Sequence, residues 1–133
     1  MTNLLKTPAS WPRPLLGRTS AADPTDLDAA VKAGAFEGLR KAVRTLAPVA
    51  VVAEIRAAGL RGRGGAGFLT ADKWQLAAAT PADRRYVVAN GYGADPAART
   101  DPVLLERAPY AVIEGVAIAA SAIGAENAII AVR

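Results

Sequence analysis

The stretch "AAGLRGRGGAGFLTADKW" (57–74) puts four glycines into the six positions 62–67, with Arg61 directly before them, Arg63 among them and Phe68 directly after. A packed core has no use for so much backbone freedom beside so much charge. A pocket for something flat and anionic does. Glycine admits positive φ and lets a ligand lie directly on the main chain. Successive N–H groups in such a loop form an anion-binding nest. Thr70 is placed to cap a helix running to Ala79, with Leu69 and Trp74 as a hydrophobic staple, and that helix brings its positive end to the loop. Arg61, Arg63 and Lys73 supply formal charge, and Phe68 offers a ring face for stacking.

Gly62-Arg63-Gly64-Gly65-Ala66-Gly67 also fits G-x-G-x-x-G. The dinucleotide-binding fingerprint needs a strand just before the loop and an acid about 20 residues later at a strand end. Here the preceding segment has helical period, and Asp83 lies ahead of a strand. The context therefore rejects that fingerprint, while the anion-receiving physics of the loop stands. The plainer reading is a flexible connector.

Outward from the loop, the pattern predicts an α/β chain: N-terminal helices, the glycine-rich loop, then a parallel βαβ unit. Residues 1–22 read as an irregular segment, with Pro8, Pro12 and Pro14 set against helix formation, and residues 23–133 as the domain. Asp23-Pro24 predicts a helix start. Phe36, Leu39, Val43 and Leu46 recur at helical spacing over 35–46. Pro48 opens a third helix, which Gly59 closes. "RRYVVAN" (84–90) and "NAIIAVR" (127–133) read as buried strands. Between them, Asp101-Pro102 starts one helix, and 109–123 forms another that is apolar nearly all round and ends at Gly124. Two apolar strands joined by a buried helix predict a parallel pair. Two strands make no stable sheet by themselves, so further sequence or a partner chain is expected. Within the apolar helix, Glu114 is either the buried partner of an arginine or the mark of a single wet edge. Arg84 and Arg85 read as a solvated strand end, and Trp74 as a core residue.

The chain contains no cysteine and no histidine. Thiolate-held iron–sulfur clusters and imidazole-based catalysis are excluded within it. The net charge is +4, with the positives dispersed among acids. That pattern suits anionic small molecules better than nucleic acid, which usually selects a dense basic stripe. No stretch reads as a secretory signal or a bilayer span. A cytoplasmic chain is predicted, peripheral to a membrane only through partner subunits.

The segment "GLRGRGGAGF-x-T-x-x-KW" resembles the signature of the flavin-binding, NADH-oxidising fifty-one-kilodalton subunit of respiratory complex I. The same module occurs in NAD-linked hydrogenases and formate dehydrogenases. The resemblance runs through "GAFEGLRKAVRTLAPVAVVAEIRAAGLRGRGGAGF", "RYVVAN" and "APYAVIEGVAIAASAIGAENAIIAVR" and covers about residues 26–133. It implies FMN and NAD as cofactors. By position, it assigns Gly62, Arg63, Gly64, Gly65, Ala66 and Gly67 to the flavin and dinucleotide site. It gives Phe68 to NADH stacking, Lys73 and Asn90 to flavin contacts, and Asp95 to the place of a pocket glutamate. Hydride transfer from nicotinamide to flavin is the implied chemistry, and other subunits of an NADH-oxidising complex are the implied partners.

After Asn90 the chain departs from the family's pattern. Where the family has alanine, Asp-Glu, a small residue and Glu-Pro-Gly, this chain reads "NGYGADPAA". Tyr92 and Gly93 replace the acidic pair, which makes the pocket more cationic. The resemblance also implies a longer protein, with a cysteine-rich cluster domain. Two other classes stand beside the oxidoreductase reading: a non-catalytic relative serving as an assembly or interaction module, and a basic anion- or nucleic-acid-binding domain.

Overall fold

A computed structural model describes Ser10, residues 23–93 and residues 99–132. The expected irregular segment 1–22, Ser10 apart, and the site residue Asp95 lie outside the described residues.

The described residues open with short helices: α1 (Leu27–Lys32), α2 (Glu37–Arg44), α3 (Pro48–Ala57) and α4 (Thr70–Ala79). Strand β1 (Tyr86–Asn90) follows, then α5 (Thr100–Arg107), α6 (Pro109–Ile123) and β2 (Asn127–Ala131). The two strands pair in parallel, Tyr86 opposite Asn127 and Asn90 opposite Ala131. The α/β class and the βαβ unit expected from the sequence are both present.

Several boundaries differ for local reasons. The first helix starts at Leu27, not at Asp23. Asp23 Oδ1 instead accepts the N–H and hydroxyl of Thr25, at 2.8 and 2.7 Å, and closes a turn. Asp26 then acts as the cap, accepting Ala29 N–H at 2.9 Å. α2 is shorter than 35–46 because the chain turns through Gly34 and Phe36, with φ of +96° and +65°. The Phe36 ring is held edge-on to Tyr110, with centroids 6.0 Å apart. Tyr110 in turn donates its hydroxyl to Thr25 C=O at 2.7 Å. α3 ends as expected: Gly59 has φ +63°, its N–H reaches Arg56 C=O at 3.0 Å, and Leu60 N–H reaches Ile55 C=O at 3.4 Å.

Thr70 does not cap α4. Leu69 occupies the cap position without a side-chain bond, and Thr70 is the first helical residue. The Thr70 N–H is already committed to Leu60 C=O at 2.9 Å. The staple that depended on that cap is replaced by packing of Trp74 against the core. Asp101 likewise sits in the first turn of α5, with Arg99 at the cap position.

α6 is the centre of the fold. It packs against α2, α3, α4, α5 and both strands. Its residues Ala119 and Ala122 are buried, so neighbouring helices approach closely. Ala42, Val51, Val52, Ala71 and Ala122 form the buried cluster, with Leu46, Ile55, Trp74 and Ile118 packed around it. The core is built from small side chains, and among the described residues no large side chain is fully buried. The strands are not buried on both faces as expected. Val87, Ala89 and Ile130 are half-buried, whereas Tyr86, Val88 and Ile129 are exposed. Side chains alternate across a strand, and only one face of this pair carries a helical layer among the described residues.

Glu114 matches neither expectation made for it. It is buried, and its Oε1 accepts the backbone N–H of Leu39 at 3.0 Å. Its partner is the uncapped start of α2 rather than an arginine, and its burial rules out a wet edge. Arg85 is also more than a solvated strand end. Its guanidinium donates to the carbonyls of Ala77, Ala78 and Thr80, at 3.2, 3.2 and 2.8 Å, and so closes the C-terminus of α4.

Candidate functional site

The glycine stretch forms a loop with a narrow neck between α3 and α4. Arg61 and Leu69 face each other in an antiparallel bridge. Gly62 N–H donates to Phe68 C=O at 2.9 Å, alongside the Thr70–Leu60 bond. At the tip, Gly65 and Gly67 have φ of +104° and +64°, which disfavours any other residue there. Gly64 has no positive φ, and a Cβ built on it meets nothing within 4 Å. The packing of the described residues therefore gives no reason for glycine at 64. A group lying against the backbone would supply one.

The N–H groups of Arg63, Gly64, Gly65, Ala66 and Gly67 donate to no other described residue. Residues 62–66 are exposed and Gly67 is half-buried. The loop thus leaves these main-chain donors unpaired among the described residues, at an exposed tip beyond a closed neck.

Two expected site residues meet beside it. Lys73 Nζ lies 5.4 Å from the centroid of the Phe68 ring, a cation–π contact. Phe68 is 63% exposed, enough of its ring for a flat group to stack on. Asp72, the one acid in the first turn of α4, pairs with Arg56, which also donates to Gln75 Oε1 at 2.9 Å. The Lys73 charge is therefore not spent on its neighbour.

Asn90 stands apart from the loop. It ends β1, at the carboxyl edge of the parallel pair, where α/β sheets usually place ligands. Its Oδ1 accepts Tyr92 N–H at 3.1 Å, and among the described residues no hydrogen bond joins it to the loop. It lines a cavity of about 110 Å³ with Gly91, Asp101 and Leu105. At Gly91, where the family's pattern has alanine, a Cβ would stand 2.7 Å from Leu105 Cδ1, so an alanine there would need the Leu105 side chain to shift.

Sequence reasoning grouped Arg61 with the ligand-facing charges. In the structure its Nη1 donates to Gly67 C=O at 2.9 Å, across the loop. The signal for this was its place at the neck, directly before the first glycine.

An α/β chain with an outward-facing, glycine-rich, cationic loop beside a stackable aromatic is the class that fold and site define. Residues 55–133 match the profile of the Nuo51 FMN-binding domain, and the chain belongs to that family. It is 41% identical over 111 residues to the NADP-reducing hydrogenase subunit HndC of Solidesulfovibrio fructosivorans, covering 84% of this chain and 22% of the relative. It is 36% identical to an NADH-quinone oxidoreductase subunit of Escherichia coli (strain K12), covering 100% of this chain and 30% of that protein. The crystal structure of an NAD+-reducing [NiFe]-hydrogenase in the H2-reduced state superposes with a TM-score of 0.69 at 33% identity, over 90% of this chain and 19% of that one. The chain spans less than a third of the length of these relatives.

Proposed function

We propose that this chain is the N-terminal FMN- and NADH-binding portion of an NADH dehydrogenase flavoprotein subunit. The observation that carries the reading is the set of amides around Gly64 that have no partner among the described residues, at a place where a Cβ added at Gly64 would meet none of those residues within 4 Å, next to Phe68 and Lys73. These residues fit a phosphorylated, planar cofactor. The amides of Arg63–Gly67 hold its phosphate oxygens, and Lys73 and Arg63 neutralise charge. Phe68 stacks on the nicotinamide, and Asn90 hydrogen-bonds the flavin from the strand end. Asp95 completes the pocket by resemblance alone.

FMN and NADH supply hydride transfer when bound; the chain supplies binding, orientation and charge. No cysteine is present to hold a cluster within these residues. Electrons would therefore leave through other polypeptide, which agrees with partner subunits of an NADH-oxidising complex. A cytoplasmic location, peripheral to the membrane through those partners, belongs to the same reading. Among the described residues no helix is long and apolar enough to cross a membrane.

A second reading rests on Tyr92 and Gly93, which stand where the family has two acids. It makes the chain a non-catalytic assembly module. Titration of FMN by fluorescence separates the two. Saturable quenching that weakens as salt rises supports cofactor binding. Absence of quenching, with partner subunits still recovered by pull-down, supports the module.

A further inference from the structure

We infer that Arg61 is a positioning residue for the glycine loop, spent on the chain's own backbone rather than on the ligand. The inference rests on the cofactor reading of the loop.

Four glycines make the segment 62–67 costly to order, because glycine loses more freedom than any other residue when fixed. An unrestrained loop would have to meet that cost at each binding event. Two main-chain bonds close the neck, from Gly62 to Phe68 and from Thr70 to Leu60. Neither reaches past Phe68 into the tip. The Arg61 bond to Gly67 C=O does. Among the described residues it is the one side-chain hydrogen bond made to residues 62–68. It engages the carbonyl of Gly67, the last glycine of the tip, and leaves the neighbouring amides without a partner among the described residues. A guanidinium suits this work because its donors are fixed in a plane.

Arg63 offers the contrast. It is exposed, and no described residue takes its side chain. Its part is electrostatic, so its effect must fade as salt rises. The effect of Arg61, acting through loop order, must persist.

The test compares Arg61→Met, Arg61→Lys and Arg63→Met by FMN fluorescence titration at low and high salt. Amide hydrogen exchange on the unliganded proteins runs alongside. With a hydrogen bond of ordinary net strength lost, Arg61→Met weakens FMN about five- to tenfold at both salt levels. It also speeds exchange at Gly62 and Thr70, the two neck donors. Arg61→Lys, which keeps a donor of similar reach, recovers most of both. Arg63→Met loses affinity at low salt only and leaves neck exchange unchanged. Unchanged exchange at Gly62 and Thr70 in Arg61→Met, or an affinity loss that disappears at high salt, overturns the inference. Wild-type protein that binds no FMN contradicts the cofactor reading instead, and the exchange data then decide the Arg61 tie by themselves.

Discussion

Glu114 Oε1, buried on α6, accepts the backbone N–H of Leu39 at 3.0 Å, from a helix 75 positions earlier in the chain. Leu39 is the third residue of α2, whose cap residue Phe36 has a left-handed backbone and no capping side chain. Glu114 therefore does from a distance what a local Ser or Asp does at most helix starts. A Cβ at Gly38 would stand 3.0 Å from the same oxygen, so the glycine makes the approach possible.

Replacing Glu114 with Ala removes the cap and leaves a cavity in the central helix contact. The expected loss of stability is about 2 kcal/mol. Gly38→Ala crowds the same carboxylate and costs less, about 1 kcal/mol, because Glu114 can shift. Urea unfolding followed by circular dichroism measures both. A neutral Glu114→Ala contradicts the capping role.

The Asp23 turn gives a pH dependence with a definite sign. The Thr25 hydroxyl and the Thr25 N–H, in that order of effect, hold the Asp23 carboxyl below its usual value of 3.8. A carboxylate whose folded pKa is depressed stabilises the fold above its unfolded value, and that contribution is lost as pH falls through the folded value. Carbon-detected NMR titration of Asp23 is expected to show a midpoint under the ordinary aspartate value. Thr25→Val is expected to raise it part of the way, since the backbone bond remains. A midpoint at or above 3.8 in the wild type contradicts the turn.

Gly64 and Gly65 separate binding from folding. Gly65→Ala forces an L side chain to φ +104° and is expected to destabilise the loop by about 1 kcal/mol. Gly64→Ala meets no strain and no neighbour, so stability should stay within about 0.5 kcal/mol of wild type. It nevertheless places a methyl where the cofactor is proposed to lie, and FMN affinity is expected to fall at least tenfold. Thermal unfolding and FMN titration on the same samples read the two effects. Undiminished affinity in Gly64→Ala would remove the ligand from the loop.

The parts of this fold legible in the sequence are those set by local chemistry. Pro48 and Gly59 bracket α3, and Pro109 and Gly124 bracket α6, because fixed φ and left-handed termini act within a few residues. The family signature at 59–74 was legible because its residues are contiguous. Contacts between distant positions were not. Nothing near Glu114 in sequence points to Leu39, and nothing near Arg85 points to the end of α4 except a basic residue following a helix. Capping residues were also misplaced where two candidates lay close together. Asp23 and Asp26 can each cap, and only the Thr25 contact decides between them. At Thr70, tertiary closure of the neck overrode the local preference.

The central claim is that the main-chain amides at the loop tip receive a phosphorylated cofactor. Two-dimensional ¹⁵N–¹H NMR of the labelled chain during FMN addition tests it directly, with riboflavin as the phosphate-free control. Progressive shifts of the Gly64, Gly65, Ala66 and Gly67 amides are predicted with FMN, and much smaller ones with riboflavin. Shifts confined to other parts of the chain, or equal responses to FMN and riboflavin at the tip, would contradict it.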